Sequence, residues 1–169
     1  MSASGGGEDF PPLSIEGLTL KRASVEDVPA IKKIIDAAYT KYIPRIGKPP
    51  APMLADYQSL LATSDIFILR TADTNIPIGS VILRQDPLTN SLKINNLVVD
   101  PMAQGRGYGR ILTEYCEKAA RAQGRTALTL FTNIKMYENL GLYAKLGFVE
   151  AERKIEDGYE RVYFRKDLL

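Results

Sequence analysis

Short apolar runs separated by turn residues recur along the chain and predict seven β-strands. The runs are rich in Ile, Leu, Val and aromatic residues, and Asp, Asn, Pro or Gly residues interrupt them. They span residues 18–23, 66–71, 78–84, 92–99, 127–131, 148–153 and 159–165. Because the second, third and fourth runs follow one another through short turns, the pattern predicts an antiparallel meander.

Other segments repeat apolar residues at helical spacing. The first has the capping-box pattern Ser-x-x-Asp at residues 24–27, ends near residue 42 and has four apolar residues on one face, namely Val28, Ile31, Ile35 and Ala38. A proline-rich loop is expected at 43–52, and further helices at about 53–62, 111–123 and 136–145. The strand, glycine loop, helix and strand over 92–131 form a βαβ unit, whose strands are expected to be parallel. The fold class is therefore mixed α/β.

Length and composition fit one domain. The chain has 169 residues, 45% hydrophobic and 25% charged, which suffices for one core. We expect a flexible tail at residues 1–14 and the domain at 15–169. The start lacks the features of a signal peptide and no apolar run could span a membrane, which favours a cytoplasmic protein without a membrane partner. A net charge of +2 argues against a nucleic-acid partner.

The chain has no histidine and one cysteine, Cys116. This composition excludes an internal disulfide, cysteine metal clusters, histidine-based zinc sites and Ser-His-Asp or Cys-His catalysis, so we expect no metal. General acid and base work is left to Asp, Glu, Tyr, Lys or water.

Residues 104–110 form a glycine-rich loop, Gln-Gly-Arg-Gly-Tyr-Gly-Arg, between a strand and a helix. Glycine allows positive φ and close approach, and a helix N-terminus attracts anions, so the loop suits a phosphate or pyrophosphate. It lacks the Gly-Lys-Ser/Thr ending of a P-loop and departs from the dinucleotide fingerprint G-x-G-x-x-G. Two interpretations of the loop remain: it binds a pyrophosphate that belongs to another kind of cofactor, or it is a plain turn.

Two motifs carry a resemblance to a known family. Val99-Asp100-Pro101 followed by Gln104-Gly105-Arg106-Gly107-Tyr108-Gly109 resembles the acyl-CoA signature Gln/Arg-x-x-Gly-x-Gly/Ala of the GNAT superfamily of N-acyltransferases. Residues 142–148, Leu-Tyr-Ala-Lys-Leu-Gly-Phe, are similar to its second signature. The resemblance covers residues 18–168. It implies a central mixed sheet of about seven strands, splayed after the fourth, with helices on both faces.

The resemblance also implies a binding site for acetyl-CoA. The backbone of the glycine loop would hold the pyrophosphate, through Gln104, Gly105, Arg106, Gly107, Tyr108, Gly109 and Arg110. The side chains of Arg106 and Arg110 would add positive charge near the phosphates, or would simply be exposed to solvent. Leu97, Val98 and Val99 would pair with the pantetheine arm, and an N–H of Leu97 or Val98 would stabilise the oxyanion. Tyr143 would protonate the departing sulfur, or simply fill space in the core. Asn139 would contact the cofactor, or cap its helix.

The general base common in similar proteins is missing here. It is a glutamate on the central strand, where this chain has Asn95 and Asn96. An amine of pKa about 10.4 is neutral in roughly one molecule in 2500 at pH 7, so forming the reactive neutral amine costs about 4.6 kcal/mol. For an amine of pKa about 7.7 the same cost is about 1 kcal/mol. The acceptor is therefore a weakly basic amine, or water held by these asparagines or by a backbone carbonyl removes the proton.

The acceptor is expected between the first helices, their loop and the closing hairpin. Tyr39, Tyr42 and Tyr159 could stack on a substrate, and Arg45 could bind a carboxylate; a solvated basic loop beside core tyrosines is equally compatible with the sequence. The favoured function is transfer of acetyl from acetyl-CoA to a primary amine of a small molecule, by direct attack in a ternary complex. A protein N-acetyltransferase and a silent acyl-CoA sensor stay open, as does a homodimer, which is common among similar proteins.

Overall fold

The computed structural model describes residues 10–168, which form one seven-stranded sheet with the order β1-β2-β3-β4-β5-β7-β6. The strands are β1 Leu18–Arg22, β2 Asp65–Thr71, β3 Pro77–Asp86, β4 Ser91–Val99, β5 Ala127–Asn133, β6 Val149–Glu156 and β7 Tyr159–Asp167. Among these described strands, β4 and β5 pair in parallel and the other neighbours pair antiparallel. The predicted mixed sheet and meander are confirmed.

Five α-helices accompany the sheet within residues 10–168: α1 Val28–Tyr39, α2 Ile43–Ile46, α3 Tyr57–Leu60, α4 Tyr108–Ala122 and α5 Tyr137–Lys145. Short 3₁₀ turns occupy Val25–Asp27, Thr40–Tyr42, Ala51–Met53 and Pro101–Ala103. The helix predicted over 53–62 was wrong in length, because Asp56 caps α3 by accepting a hydrogen bond from the Ser59 N–H at 3.2 Å. The helix predicted from residue 111 begins three residues earlier, so the last part of the glycine loop is its first turn.

Both faces of the sheet are buried at its central strands, where adjacent residues face opposite sides. In β2, Ile66 and Ile68 pack in the cluster that contains α1, whereas Phe67 and Leu69 pack in the cluster that contains α4. The apolar runs in the central strands are continuous for this reason, as expected of strands covered on two sides. The predicted helices on both faces are confirmed.

A β-bulge in β4 reverses this alternation. Ile82 pairs with Asn96 and Leu83 with Ile94, so Asn95 is an extra residue in the ladder. Ile94 therefore packs in the α4 cluster, although Val98, four residues later, packs in the α1 cluster. The bulge turns the Asn96 side chain toward the α1 face.

The sheet opens between β4 and β5. These strands pair only from Ser91 to Ile94 on β4 and from Ala127 to Leu130 on β5. Beyond that point β4 pairs with β3 alone and β5 with β7 alone. The splay predicted after the fourth strand is confirmed, and it creates a cleft bounded by two diverging strand ends.

The structure describes only part of the tail predicted over residues 1–14. The part up to residue 9 lies outside the described residues. From Phe10 onward the chain contacts the core, since the Phe10 ring lies 5.0 Å from that of Phe67 and Leu13 packs against the same cluster. Among the described helices, none has the length and apolarity needed to cross a membrane.

Candidate active site

Two cavities meet in the cleft between β4 and β5. The first, the strand cavity, has a volume of about 170 Å³ and lies between the diverging strands. The second, the loop groove, has a volume of about 420 Å³ and runs along the glycine loop. Tyr39, Leu97 and Tyr143 line both. A reaction between ligands of the two cavities would take place beside these three residues.

The glycine loop forms one end of the loop groove. Gly105 and Gly107 have φ values of +82° and +86°, and Gly107 is the N-cap of α4. A Cβ atom added at either glycine, or at Gly109, would meet no atom within 4 Å, so the backbone is open to the outside. The first-turn N–H groups of α4 have no helical acceptor, and the helix dipole favours an anion there. This end of the groove fits a pyrophosphate.

Most of the predicted cofactor residues lie in this groove. The lining includes Gln104, Gly105, Gly107, Tyr108, Gly109 and Arg110, together with Leu97, Val98, Val99, Asn139 and Tyr143. Arg106 is exposed and is absent from the described lining, so the structure does not bring it to the groove. The cation expected near the phosphates is therefore Arg110.

The end of β4 gives the groove an edge that can hydrogen-bond. Val98 pairs with Ser80 on β3, whereas among the described residues no strand pairs with the opposite edge of β4 beyond Ile94. A Cβ atom at Gly79 would lie 2.9 Å from the Val98 carbonyl oxygen, so only glycine lets β3 approach β4 this closely. An extended amide-containing arm could pair with the free edge as an additional strand.

Asn139 lies in the groove wall on α5. Its Nδ2 donates to Thr132 Oγ1 at 3.5 Å and contacts Met136 Sδ at 3.7 Å. Both interactions are long, so the amide retains capacity for a ligand. They connect α5 to the end of β5.

Tyr143, also on α5, stands at the junction of the two cavities. Its half-buried ring packs edge-on against Phe148, with centroids 5.8 Å apart, and lies 5.9 Å from the ring of Phe164. Burial, reinforced by the neighbouring Tyr39 and Tyr42, raises the pKa of the Tyr143 hydroxyl above its usual value. The phenol is therefore protonated throughout the neutral and mildly alkaline range, as a proton donor must be.

The strand cavity contains four of the six residues predicted to bind the acceptor. Tyr39, Asn95, Asn96 and Tyr159 line it. Tyr42 lines the loop groove instead.

Arg45 is in neither lining and does not occupy the position of a carboxylate clamp. It binds Glu138 with both terminal nitrogens, at 2.7 and 3.2 Å, and donates to the Lys135 carbonyl at 2.9 Å. The Arg45 hydrogen bond lowers the pKa of Glu138 to about 2, so both partners are charged near neutral pH. Arg45 thus connects α2 to the start of α5.

Asn96 has an unusual arrangement for a buried amide. Its Nδ2 donates to the Tyr39 hydroxyl at 3.2 Å, and burial raises the pKa of Tyr39 to about 12. Its Oδ1 is buried and accepts no hydrogen bond from the described residues. An unpaired buried carbonyl costs about 1–3 kcal/mol, so a donor from a ligand or water is expected there.

Other residues of the strand cavity were missed from sequence. They include Phe131 and Arg161. Arg161 follows Tyr159 by two residues in a strand, so the period-2 rule could have placed it on the same face. Within the described part of the chain, Arg161 is the one charged side chain in this lining, and no carboxylate lines it.

A segment between α2 and α3 roofs the strand cavity. The Lys48 Nζ donates to the Gly158 carbonyl at 3.0 Å, and the Tyr159 hydroxyl donates to the Pro49 carbonyl at 2.6 Å. The Tyr57 hydroxyl donates to the Pro52 carbonyl. The roof is thereby attached to the β6–β7 hairpin across the cleft.

Comparisons with known proteins agree with this architecture. A mycothiol acetyltransferase of Jonesia denitrificans is 36% identical over 78 residues, 46% of this chain and 25% of the relative. An IAA acetyltransferase of Azospirillum brasilense is 33% identical over 97 residues, 57% of this chain and 63% of the relative. The chain thus spans less than two thirds of the length of either relative.

A solved structure shares the fold. It is a GNAT family acetyltransferase from Elizabethkingia anophelis with acetyl-CoA bound, which has a TM-score of 0.66, 17% identity and coverage of 91% of this chain and 100% of that one. The family model described as "Acetyltransferase (GNAT) family" matches residues 29–148 of this chain, and these residues contain β2 to β5, the glycine loop and α5. The protein belongs to the acetyltransferase (GNAT) family.

Proposed function

We propose that this protein transfers the acetyl group of acetyl-CoA to a primary amine of a small molecule. The observation that carries the proposal is the junction of the two cavities, because Tyr39, Leu97 and Tyr143 line both. A donor in the loop groove and an acceptor in the strand cavity would meet there without a covalent enzyme intermediate. The buried Cys116, whose pKa is raised by burial, is not suited to form one.

Acetyl-CoA supplies an activated acetyl group as a thioester. The first-turn N–H groups of α4 bind its pyrophosphate, Arg110 adds charge, and the free edge of β4 orients the pantetheine arm. An N–H of Leu97 or Val98 stabilises the negative charge that develops on the thioester oxygen. Asn139 contacts the arm from the facing helix.

The amine nitrogen attacks the carbonyl carbon, the C–N bond forms, the C–S bond breaks, and the nitrogen releases one proton to water. Tyr143 donates its proton to the departing sulfur, and its phenol recovers a proton from solvent. A thiol of pKa about 8.5 is a tolerable leaving group, so this donation is a moderate contribution. Because no described carboxylate lines the strand cavity, the amine must arrive neutral or lose its proton to water near Asn95 and Asn96.

The roof over the strand cavity favours a small acceptor over a protein. A lysine or N-terminus on a protein would need an open channel, whereas residues 48–57 are hydrogen-bonded across the cleft. The position of Tyr143 at the junction argues against a silent sensor. The cytoplasmic location and the homodimer expected from the sequence stay predictions.

The test is thiol release from acetyl-CoA with a library of amines and peptides, with the acetylated product identified by mass spectrometry. The proposal predicts release that depends on small amines. Turnover with peptides alone would identify a protein acetyltransferase. Acetyl-CoA binding without release in any mixture would identify a sensor and overturn the proposal.

A further inference from the structure

We infer that the acceptor is an amino-acid-like molecule, a primary amine that also carries a carboxylate, with the carboxylate at Arg161 and the amine toward Asn96. The inference rests on the proposed acetyltransferase function and narrows its substrate class. It replaces Arg45, the carboxylate-binding residue expected from the sequence, with a cation that lies in the cavity wall.

The Arg161 side chain is fixed in a position that suits binding of a carboxylate. Its side chain is 12% exposed, and its guanidinium lies 4.5 Å from the centre of the Phe131 ring and 5.8 Å from that of Tyr159. Aromatic faces hold a guanidinium by cation–π attraction without using its N–H donors. A planar guanidinium fixed in this way is the group best suited to bind a carboxylate with two parallel hydrogen bonds.

The protein neutralises Arg161 only in part. Its Nη1 lies 3.3 Å from Glu156 and 3.9 Å from Asp157. The Asp157 side chain is 85% exposed, so solvent screens its attraction. Glu156 is shared, because it also accepts from the Tyr163 hydroxyl and lies 3.7 Å from Lys154. Since a guanidinium has five N–H donors, these contacts use part of its capacity.

A second basic side chain contacts the aromatic ring that holds Arg161. The Lys93 ammonium lies 5.1 Å from the centre of the Phe131 ring, the same ring that Arg161 contacts. Arg161 in the wall disfavours a second ammonium group on the acceptor, and no described carboxylate in the lining would bind one. Diamines and polyamines are therefore poor acceptors, whereas an anionic group is attracted.

Asn96 supplies the complementary contact. It is 9% exposed, and its Oδ1 is buried, unpaired among the described residues and placed in the wall beside Leu97. A primary amine has N–H groups that can donate a hydrogen bond to this oxygen. The contact would hold the amine near the junction, where its lone pair can face the thioester. Asn96 is thus a positioning residue, and Arg161 determines specificity.

The experiment compares acceptors that differ only in the carboxylate, phenylalanine against phenethylamine and glycine against methylamine, with putrescine as a dication. The carboxylate also changes the pKa of the ammonium, so kcat/KM is expressed on the concentration of neutral amine. For the wild type this value is expected to be at least about tenfold higher with the amino acid than with its partner, because a charged hydrogen-bonded pair contributes roughly 1.5–3 kcal/mol. Arg161→Gln should abolish this ratio through the KM of the amino acid, and Arg161→Lys should retain part of it. Arg153→Gln, an exposed arginine on β6, is the matched control and should leave the ratio unchanged.

Asn96→Leu separates the two contacts. It should lower kcat/KM for both members of a pair by a similar factor and leave their ratio intact. Equal rates for amino acids and plain amines with the wild type, or a ratio that survives Arg161→Gln, would overturn the inference while leaving the acetyltransferase intact. If no amine releases thiol, the proposed function fails, and the inference fails with it. The wild-type ratio decides the matter even if Arg161→Gln does not fold.

Discussion

The loop groove and the strand cavity are built in opposite ways. The groove is lined by three nearly continuous segments, 38–42, 97–110 and 138–143, and its anion-binding end uses backbone groups. The cavity uses side chains from seven regions of the chain, from Tyr39 on α1 to Arg161 on β7. A backbone site needs glycines at fixed spacing, which leaves a motif in the sequence. A side-chain site leaves none, because its members come together only when the sheet folds and splays.

The difference implies different kinds of specificity. Backbone N–H groups and a strand edge recognise a phosphate-bearing arm of constant structure. The strand cavity is lined by polar side chains from several elements, and we infer that two of them, Asn96 and Arg161, each set one feature of the acceptor. Substitutions in the groove should therefore affect every reaction equally, whereas substitutions in the cavity should affect acceptors selectively.

The strongest test concerns Tyr143, which belongs to both regions. Tyr143→Phe should lower kcat by roughly 10- to 1000-fold with every acceptor, because the sulfur loses its proton donor. The dissociation constant of acetyl-CoA, measured by calorimetry, should be unchanged. Tyr137→Phe, on the same helix with an exposed ring, is the control and should retain full activity. Wild-type turnover in Tyr143→Phe would remove this residue from the mechanism.

The pH profile tests the lack of a carboxylate in the cavity. For an amine of pKa about 10.4, kcat/KM should rise with slope one from pH 7 to pH 9, a gain of about 100-fold, as the neutral fraction grows. Because the pKa of Tyr143 is raised, its hydroxyl stays protonated over this range and can donate its proton. A plateau near pH 7 would reveal a general base that the structure does not place in the cavity.

Gly107→Ala tests the backbone character of the groove. A non-glycine residue at φ +86° costs about 1–2 kcal/mol, so the loop should relax and bind acetyl-CoA roughly tenfold more weakly. The relative rates with different acceptors should not change. Gly141→Ala, on α5 with open space around its Cβ, is the control. Unchanged affinity in Gly107→Ala would mean that the loop does not bind the donor in this conformation.

The smallest effect is expected from Arg45→Ala. Because Arg45 lies in neither described lining and is paired with Glu138, the KM values for a panel of amino acids should change by less than about twofold. Steady-state kinetics on that panel checks this. A large, selective rise in KM for amino acids would restore Arg45 as the carboxylate-binding residue.

The sequence predicted the elements whose signals are local. The apolar runs predicted the seven strands, and the glycine spacing predicted the groove that Gly105 and Gly107 form. Two features could not be predicted in this way. The bulge at Asn95 depends on the register with β3, and it decides which face Asn96 occupies. Arg45 and Arg161 are both basic residues beside tyrosines, and only the packing of Glu138 against one and Phe131 against the other distinguishes them.

The central claim is that both substrates occupy their cavities together at the shared junction. Initial rates measured over a matrix of acetyl-CoA and acceptor concentrations test it most directly. The account predicts double-reciprocal lines that intersect, since acetyl transfer needs both substrates bound at once. Parallel lines, which indicate an acetylated enzyme intermediate formed before the acceptor binds, would contradict it.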